Sequence, residues 1–355
     1  MQETADTESL DATSRWNALA ERVLAGTPPT AEEAHSILEC KDEELLDLLA
    51  ATFRVRRRYF GKSVQLYYLM NAKSGLCPED CTYCSQSKTS EAEIPTYNLL
   101  SEKKLLDGAR EAYERGSKTY CIVISARGPS EREMRAVTTI VPKIKATYDL
   151  KICACLGLLT DAQAAELKAC GVDRVNHNLN TSAEHYGEIC STHTYEDRVA
   201  TLTSVREAGL EICSGGIIGM GERREDVVRM AFALRELEAE SIPINFLNPI
   251  DGTPLAGQWE LNPRYCLKVL CMFRLVNPDR EIRVAGGREI HLGHLQPLGL
   301  YAANSLFVGD YLTTKGQVPE KDYRMIEEMG FEVTQHEDPA CRLDRGPQSQ
   351  QAVPG

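Results

Sequence analysis

The chain has 355 residues, of which 43% are hydrophobic, and can bury the core of two ordinary domains or of one large α/β barrel. Its formal net charge of -12 argues against a general nucleic-acid binder, because such proteins neutralise phosphates with clustered positive charge. No apolar stretch reaches the roughly 20 residues that a membrane span needs. The acidic N-terminus shows no targeting signal, so we expect no membrane association and a cytoplasmic location.

The first 62 residues carry a helical pattern. Apolar residues recur at helical spacing in "SRWNALAERVLAG" and "DEELLDLLAATFRVRR", and Thr30 followed by Glu33 resembles a capping box. The basic run from Arg54 to Arg58 is interpreted as the solvated end of a helix rather than as a phosphate or partner site. This segment is therefore predicted to be an N-terminal helical extension.

Short β-rich runs alternate with helical patterns over residues 63–331. The eight predicted strands begin at Val64, Thr119, Leu150, Val172, Leu210, Ser241, Glu281 and Asn304. Helices are predicted between them over 102–115, 129–147, 160–170, 194–209, 222–239, 262–276 and 291–302.

This alternation favours a (β/α)8 TIM barrel, an α/β fold. The alternative is an open doubly wound sheet, although no GxGxxG motif follows the first strand. Residues 332–355 are polar and rich in proline and glycine, and we predict that they form a disordered tail.

The stretch "GLCPEDCTYCSQS" places Cys77, Cys81 and Cys84 in a CxxxCxxC spacing after the first strand, at the barrel face where active sites form. Structural zinc needs four ligands, and no second CxxC is present. Three thiolates on a 4Fe-4S cluster instead leave one iron open to a substrate or cofactor. The acidic pair Glu79 and Asp80 between them is interpreted as solvated surface.

This spacing, with Tyr83 just before the last cysteine, resembles the signature of the radical S-adenosylmethionine superfamily. The resemblance implies that the open iron binds the amino and carboxylate groups of S-adenosylmethionine. An electron from the cluster then cleaves the cofactor to methionine and a 5'-deoxyadenosyl radical. Tyr83 is expected at the cofactor-binding site.

Several predicted strands carry a thiol or charged side chain that could point into the barrel. Because side chains alternate along a strand, four strands each offer one inward group: Cys121, Cys153, Cys213 and Arg283. Free cysteine is more often a small packing residue, since buried thiols behave as small hydrophobic groups. That interpretation is adopted for Cys155, Cys170, Cys190, Cys266 and Cys271.

Segments that include "YCIVISARGPSERE", "GLEICSGGIIGMGE" and "RVAGGRE" occur in an order that resembles the biotin synthase family from Val64 to about Phe331. The resemblance implies a 2Fe-2S cluster in the barrel, held by the four inward groups named above. A buried arginine needs an anionic or electron-rich partner, and a cluster would supply one for Arg283.

The same resemblance implies polar contacts to two small molecules. It places dethiobiotin against Asn176, Asn178 and Asn245, and S-adenosylmethionine against Asn178, Asn180 and Arg198. The three asparagines 176, 178 and 180 are predicted to share one face of a strand. Asn180 stands where many family members have aspartate, so its contact to the ribose is a departure from the pattern. His177 is predicted to point to the opposite face as a core histidine.

The implied reaction inserts one sulfur between two unactivated carbons of dethiobiotin, with two S-adenosylmethionine molecules consumed and the 2Fe-2S cluster as sulfur donor. The expected partners are a low-potential electron donor of flavodoxin or ferredoxin type, iron-sulfur assembly proteins and a second copy of the chain in a homodimer. Two alternatives remain open. One is another radical enzyme with this barrel, similar to the hydrogenase maturases or methylornithine synthase. The other is a non-catalytic iron-sulfur carrier or sensor.

Overall fold

A closed parallel β-barrel forms the centre of the fold. The computed structural model describes residues 2–334, with side chains from residue 12 onward. The strands are β1 (Ser63–Lys73), β2 (Thr119–Ile124), β3 (Lys151–Cys155), β4 (Arg174–Asn176), β5 (Glu211–Cys213), β6 (Gly216–Ile218), β7 (Ser241–Phe246), β8 (Glu281–Val284), β9 (Ser305–Phe307) and β10 (Glu332–Val333).

Eight of these strands close the barrel in the order β1-β2-β3-β4-β5-β7-β8-β9, with β9 pairing back to β1. All of the pairings are parallel, and β6 continues the path of β5 alongside β7. The predicted (β/α)8 barrel is therefore confirmed, and the doubly wound sheet is excluded.

Helices surround the barrel. They are α1 (Gln2–Leu24), α2 (Ala31–Glu39), α3 (Leu45–Phe60), α4 (Glu102–Glu114), α5 (Glu131–Thr147), α6 (Asp161–Ala169), α7 (Tyr186–Ile189), α8 (Tyr195–Glu207), α9 (Arg224–Glu236), α10 (Pro263–Val276), α11 (Arg288–His291) and α12 (Pro319–Glu328), with 3-10 segments at Asp42–Glu44 and Gly293–Tyr301. Within residues 2–334, we find no helix whose length and apolarity would let it cross a membrane.

The helix predicted over 291–302 is mostly a 3-10 segment. Pro297 lies inside it and has no backbone N–H to donate, which removes one hydrogen bond of a regular α-helix and disfavours that pattern here. The preceding turn, α11, begins after Gly287, whose φ of 79° is in the left-handed region.

Three helices before β1 form the N-terminal extension, and they pack on the outside of the barrel. The predicted capping box is present at the start of α2, where Thr30 and Glu33 bond each other's backbone N–H groups. The prediction that the basic run is solvated is wrong for Arg56, which is fully buried. Its guanidinium donates to the backbone carbonyls of Ser63 (2.7 Å) and Ala303 (3.3 Å), so its buried N–H groups have acceptors.

The predicted start of the disordered tail, at residue 332, lies too early in the chain. Glu332 and Val333 form β10, which pairs in parallel with Ser63 and Val64 at the start of β1. Residues 335–355 of the predicted tail lie outside the described residues.

Candidate active site

A cavity of about 390 Å³ opens at the carboxyl ends of the barrel strands. Its wall brings together every site residue that the sequence predicts: Cys77, Cys81, Tyr83, Cys84, Cys121, Cys153, Asn176, Asn178, Asn180, Arg198, Cys213, Asn245 and Arg283. They come from the loop after β1, from six barrel strands and their extensions, and from α8, which carries Arg198. Because parallel strands end at one face of a barrel, residues far apart in sequence meet there.

The loop after β1 carries the three cysteines of the CxxxCxxC motif at the cavity mouth. Cys81 is buried, whereas Cys77 and Cys84 are partly exposed. Burial raises the pKa of Cys84 to about 11. Within residues 2–334, the three loop thiols do not form a group compact enough for a single ion. Their wider spacing suits a multinuclear cluster better than one metal ion.

The acidic pair in this loop is not solvated surface, and that prediction is wrong. Glu79 is only 5% exposed and faces His193 Nδ1 at 2.5 Å and Arg127 Nη1 at 3.1 Å. Burial alone would raise the pKa of Glu79, but hydrogen bonds from Thr192, His193 and Arg127 lower it. Asp80 accepts from the backbone N–H groups of Ser191 (3.0 Å) and Thr192 (3.2 Å). Both carboxylates therefore anchor the loop to the segment after α7.

Cys190 lies beside the loop, and packing alone does not account for it. Its Sγ is 3.8 Å from Cys81 Sγ, 3.3 Å from Asp80 Oδ1 and 3.3 Å from His193 Nδ1. The thiol shares a hydrogen bond with Cys81 that lowers the pKa of Cys190 and raises that of Cys81. By contrast, Cys266 and Cys271 are fully buried in the hydrophobic core, as the packing interpretation predicts. Cys170 lies at the end of α6, and Cys155 lines the cavity.

Polar side chains after β4 form the middle of the cavity wall. Asn176 Nδ2 donates to Asn178 Oδ1 at 3.1 Å and lies 3.3 Å from Cys213 Sγ. Asn180 Nδ2 donates to the Tyr83 hydroxyl at 2.6 Å. Only Asn176 belongs to the strand, because β4 ends there and Asn180 adopts a φ of 71°. The three asparagines still reach one cavity wall, although one continuous strand does not carry them.

Arg198 stands between this wall and the loop. Its guanidinium donates to the Asn178 carbonyl oxygen at 2.8 Å and to His193 Nε2 at 2.8 Å, and it also bonds the Tyr186 hydroxyl. The side chain is 8% exposed. A buried fork of this kind can bind a carboxylate through two parallel hydrogen bonds.

Asn245, near the end of β7, lines the cavity beside β6. Its Nδ2 donates to the Gly216 carbonyl at 3.1 Å, and its Oδ1 accepts from the Gly286 N–H at 3.0 Å. These two bonds fix the amide plane between β6 and the loop after β8. The orientation of its donor and acceptor is thereby set before any ligand arrives.

The second predicted ligand set lies at the bottom of the cavity. Cys121, Cys153 and Cys213 are buried on β2, β3 and β5, and Cys121 pairs directly with Cys153 in the β2–β3 register. Hydrogen bonding with Cys121 raises the pKa of Cys153 well above its ordinary value. Arg283 Nη1 lies 3.7 Å from Cys213 Sγ. The four predicted ligands therefore lie together at the bottom of the cavity, although they come from four different strands.

Arg283 is surrounded by partners that the sequence does not predict. Its Nη2 donates to Glu281 Oε1 at 2.7 Å and Ser241 Oγ at 2.6 Å, and its guanidinium carbon lies 3.3 Å from the centre of the Tyr67 ring. Glu281 supplies the anionic partner, so burial of the charge does not by itself require a cluster. The Nε atom, however, is buried without a hydrogen-bond partner. The strand periodicity could have pointed to Glu281, which lies two residues before Arg283 on the same face.

His177 is buried, as expected of a core histidine, but it also contributes to the cavity wall. Burial lowers the pKa of its imidazole well below the usual value, so the ring is neutral. Its Nε2 is buried without a partner. The prediction that His177 is a structural residue on the face opposite the asparagines is therefore incomplete, because the side chain also lines the cavity.

Two family models match the chain. The model described as the Radical SAM superfamily matches residues 73–234, and the Biotin and Thiamin Synthesis associated domain matches residues 243–332. The two matches together cover β2 to β9, which carry most of the cavity wall.

Solved structures of other proteins share the barrel. Methylornithine synthase has a TM-score of 0.79 at 20% identity, covering 90% of this chain and 98% of that one. The FeFe-hydrogenase maturase from Carboxydothermus hydrogenoformans has a TM-score of 0.76 at 16% identity, covering 96% and 84%. At such low identity, these similarities establish the fold alone.

Curated relatives are similar over nearly the whole chain. A biotin synthase from Rhodopirellula baltica is 63% identical over 336 residues, which cover 94% of this chain and 94% of that protein. A biotin synthase from Bacillus subtilis (strain 168) is 56% identical over 330 residues, which cover 93% and 98%. On this similarity, the chain belongs to the biotin synthase family of the radical S-adenosylmethionine superfamily.

Proposed function

We propose that the protein forms biotin by inserting one sulfur between two unactivated carbons of dethiobiotin. Membership of the family supports the reaction. The observation that carries the proposal for this chain is a hydrogen-bonded path that joins the two predicted ligand sets inside one cavity. The path runs through Cys213, Asn176, Asn178, Arg198, His193 and Cys190 to Cys81.

The donor sets suit two iron-sulfur clusters. Cys77, Cys81 and Cys84 would hold a 4Fe-4S cluster, and three thiolates leave its fourth iron for S-adenosylmethionine. Cys121, Cys153, Cys213 and Arg283 would hold a 2Fe-2S cluster, which would give the unpartnered Nε of Arg283 a polar neighbour. When bound, the first cluster supplies the electron that cleaves S-adenosylmethionine to a 5'-deoxyadenosyl radical, and the second supplies the sulfur.

Residues near the mouth of the cavity would bind S-adenosylmethionine. Arg198 would turn its guanidinium fork from His193 to the methionyl carboxylate, since both acceptors suit the same N–H groups. Asn178 and Asn180 would present amide groups to the cofactor, and Tyr83 would fix Asn180 through its hydroxyl. The Asn180 amide can both donate to and accept from ribose hydroxyls, whereas an aspartate would only accept.

Dethiobiotin would lie between the two ligand sets. Its ureido group has two N–H donors and one carbonyl acceptor, which match the amide groups of Asn176, Asn178 and Asn245. The remaining wall near the deep set is apolar and includes Val123 and Phe307. Such a wall excludes water and other hydrogen donors that would quench a radical.

The proposal extends to partners outside the chain. A flavodoxin-type or ferredoxin-type protein would supply electrons at low potential, and iron-sulfur assembly proteins would load the cysteines. The homodimer and the cytoplasmic location expected from the sequence are part of the same proposal.

The reaction can be tested anaerobically with the reconstituted protein, S-adenosylmethionine, a low-potential reductant and dethiobiotin. Mass spectrometry should detect biotin with about two equivalents of 5'-deoxyadenosine, because two hydrogen atoms must be removed. Production of 5'-deoxyadenosine without biotin, from protein shown to hold both clusters, would reject dethiobiotin as the substrate.

A pair of cysteine variants tests the second ligand set in the same reaction. Cys153→Ser should lose the 2Fe-2S absorption and biotin but retain 5'-deoxyadenosine production. Cys155→Ser is the matched control, because Cys155 lies on the same strand and also lines the cavity. It should retain both clusters and biotin formation. Equal loss in the two variants would contradict the assignment of Cys153.

A further inference from the structure

Three side chains that can bind a metal lie close together beside the loop after β1. One of them, Cys81, also belongs to the CxxxCxxC motif, whereas Cys190 and His193 belong to neither predicted ligand set. Cys81, Cys190 and His193 are all buried, and one ligand atom from each lies within 4.8 Å of the other two. Cys81 Sγ and Cys190 Sγ are 3.8 Å apart, and His193 Nδ1 is 3.3 Å from Cys190 Sγ. Among the residues described, no other group of three or more histidine, cysteine or acidic side chains is as compact.

These distances suit a tetrahedral ion. Zinc binds thiolate sulfur at about 2.3 Å and imidazole nitrogen at about 2.0–2.1 Å, so tetrahedral angles separate two sulfurs by about 3.8 Å. Two thiolates balance the charge of a divalent ion, and thiolate with imidazole is a donor combination that zinc favours. A water molecule can complete the fourth position.

The contacts of His193 show which ring nitrogen faces the thiols. Nδ1 lies 3.3 Å from Cys190 Sγ, close to the separation of about 3.5 Å that tetrahedral zinc imposes on a sulfur and a nitrogen ligand. Glu79 Oε2 lies 2.5 Å from the same Nδ1, so an ion bound there would replace this hydrogen bond and lie next to the carboxylate. Nε2 would then carry the ring proton, and Arg198 would turn away from it while it retains its bond to the Asn178 carbonyl.

We propose that, in the cluster-free chain, Cys81, Cys190 and His193 bind one divalent ion of the zinc type. Cys81 cannot hold this ion and a 4Fe-4S cluster at once, so the ion blocks cluster loading and must leave before it. The ion site itself depends only on the three side chains, whereas its competition with the cluster rests on the proposed role of Cys81. Cys190 thereby acquires a role that the CxxxCxxC motif does not contain.

The site is tested by titrating Co²⁺ into the full-length chain, freed of iron and reduced, under anaerobic conditions. Tetrahedral cobalt bound by thiolates absorbs strongly in the visible region. The wild-type chain should bind one equivalent with this spectrum. Cys190→Ala and His193→Ala should each weaken binding by more than about tenfold, because loss of a ligand costs at least as much as loss of an orienting neighbour.

Two sets of controls separate this site from other thiol sites. Cys77→Ala and Cys84→Ala should retain the wild-type spectrum and affinity, as should Cys170→Ala, which removes a thiol at the end of α6. Far-UV circular dichroism confirms folding, and Cys190→Ser provides a second variant if alanine unfolds the chain. Absence of cobalt binding, an unchanged spectrum in the Cys190 variants, or loss of binding in Cys77→Ala and Cys84→Ala would overturn the proposal.

Competition is measured separately by reconstituting the 4Fe-4S cluster after loading with Zn²⁺. Zinc should slow reconstitution of the wild-type chain and have little effect on Cys190→Ala. Cobalt binding as described, together with unchanged reconstitution in the presence of zinc, would support the ion site. It would reject the claim that the ion and the cluster compete for Cys81. Because no step measures biotin, failure of the ion site leaves the proposed reaction intact.

Discussion

Glu281 connects the buried charges beneath the cavity. Its carboxylate accepts from Arg283 Nη2 (2.7 Å), the Tyr67 hydroxyl (2.7 Å) and Ser305 Oγ (2.8 Å), and it pairs with Arg174 at 3.3 Å. Burial alone would raise the pKa of Glu281, but the charges of Arg283 and Arg174 lower it to about 2. The negative charge therefore holds Arg283 in place beside Cys213.

Replacing this carboxylate should destabilise the protein in a pH-dependent way. We expect Glu281→Gln to lower the free energy of unfolding at neutral pH by about 3 kcal/mol, because two buried guanidinium groups lose their shared anion. The pKa of Glu281 is lower in the folded protein than its ordinary 4.5, so its contribution is complete above that value. The contribution is lost as the pH falls towards about 2. Urea unfolding of both proteins from about pH 6 to about pH 3 should show the difference shrinking.

A surface pair provides the matched control for this prediction. Glu102 pairs with Lys143 at 2.6 Å, and both side chains are about half exposed. Glu102→Gln should change the free energy of unfolding by less than about 1 kcal/mol. If the two variants lose similar stability, or if the Glu281→Gln difference does not vary with pH, Glu281 does not carry the buried charge that the geometry indicates.

Residues in a fixed local motif could be predicted, whereas their long-range partners could not. Cys77 and its two neighbours in the motif follow from spacing alone, and Cys121 and Arg283 from strand alternation with the family resemblance. His193 and Glu79 are 114 positions apart, and neither lies in a local pattern that indicates their contact. From the sequence alone, an acidic residue in a loop is expected to be solvated, because its distant hydrogen-bond partners are known only from the fold.

At the level of elements, the break between β5 and β6 positions the middle of the cavity. Gly215 lies in this break, and its N–H donates to Asn178 Oδ1 at 3.1 Å. A Cβ atom at this position would lie 1.9 Å from the Pro243 carbonyl oxygen of β7. The close approach of the two backbones therefore requires glycine, because a backbone carbonyl cannot rotate away like a flexible side chain.

We expect Gly215→Ala to lower the free energy of unfolding by about 3 kcal/mol, since overpacking against backbone forces the strands apart. The same shift should weaken S-adenosylmethionine binding by displacing Asn178. Gly187→Ala is the control, because a Cβ at this exposed helical position meets nothing within 4 Å. It should be neutral or stabilising by up to about 1 kcal/mol. Urea unfolding and calorimetric titration of the cofactor would measure both effects, and an unchanged Gly215→Ala protein would contradict the account.

The barrel strands were predictable because each is a short apolar run between helical patterns, and all eight predicted runs contain a strand. The run from Leu210 splits into β5 and β6, because Gly215 crosses β7 too closely to continue a regular ladder. The four-residue helix α7 was not predicted, since one turn leaves no periodic pattern. It nevertheless presents Tyr186 to Arg198, so local sequence patterns miss an element that supports the site.

At the scale of the whole molecule, the N-terminal helices and the barrel share one hydrophobic core. A continuous cluster of buried residues includes Trp16 of α1, Leu48 of α3, Leu270 of α10 and Ile242 of β7. Polar contacts tie the same surfaces together, because Lys268 of α10 donates from its buried Nζ to the Cys40 carbonyl and to Asp42. Shared burial of this kind makes separate unfolding of the extension costly.

We therefore expect the extension and the barrel to unfold in a single transition, which the two tryptophans make measurable. Trp16 is 2% exposed in the shared core, whereas Trp259 is 58% exposed and lies against His291. Trp259→Phe leaves Trp16 as the only tryptophan and thus as a probe of the extension. Its fluorescence and the far-UV circular dichroism, which is dominated by the barrel and its helices, should change at the same urea concentration. An earlier fluorescence transition would show that the extension unfolds independently, and the shared core would then contribute less to stability than its burial indicates.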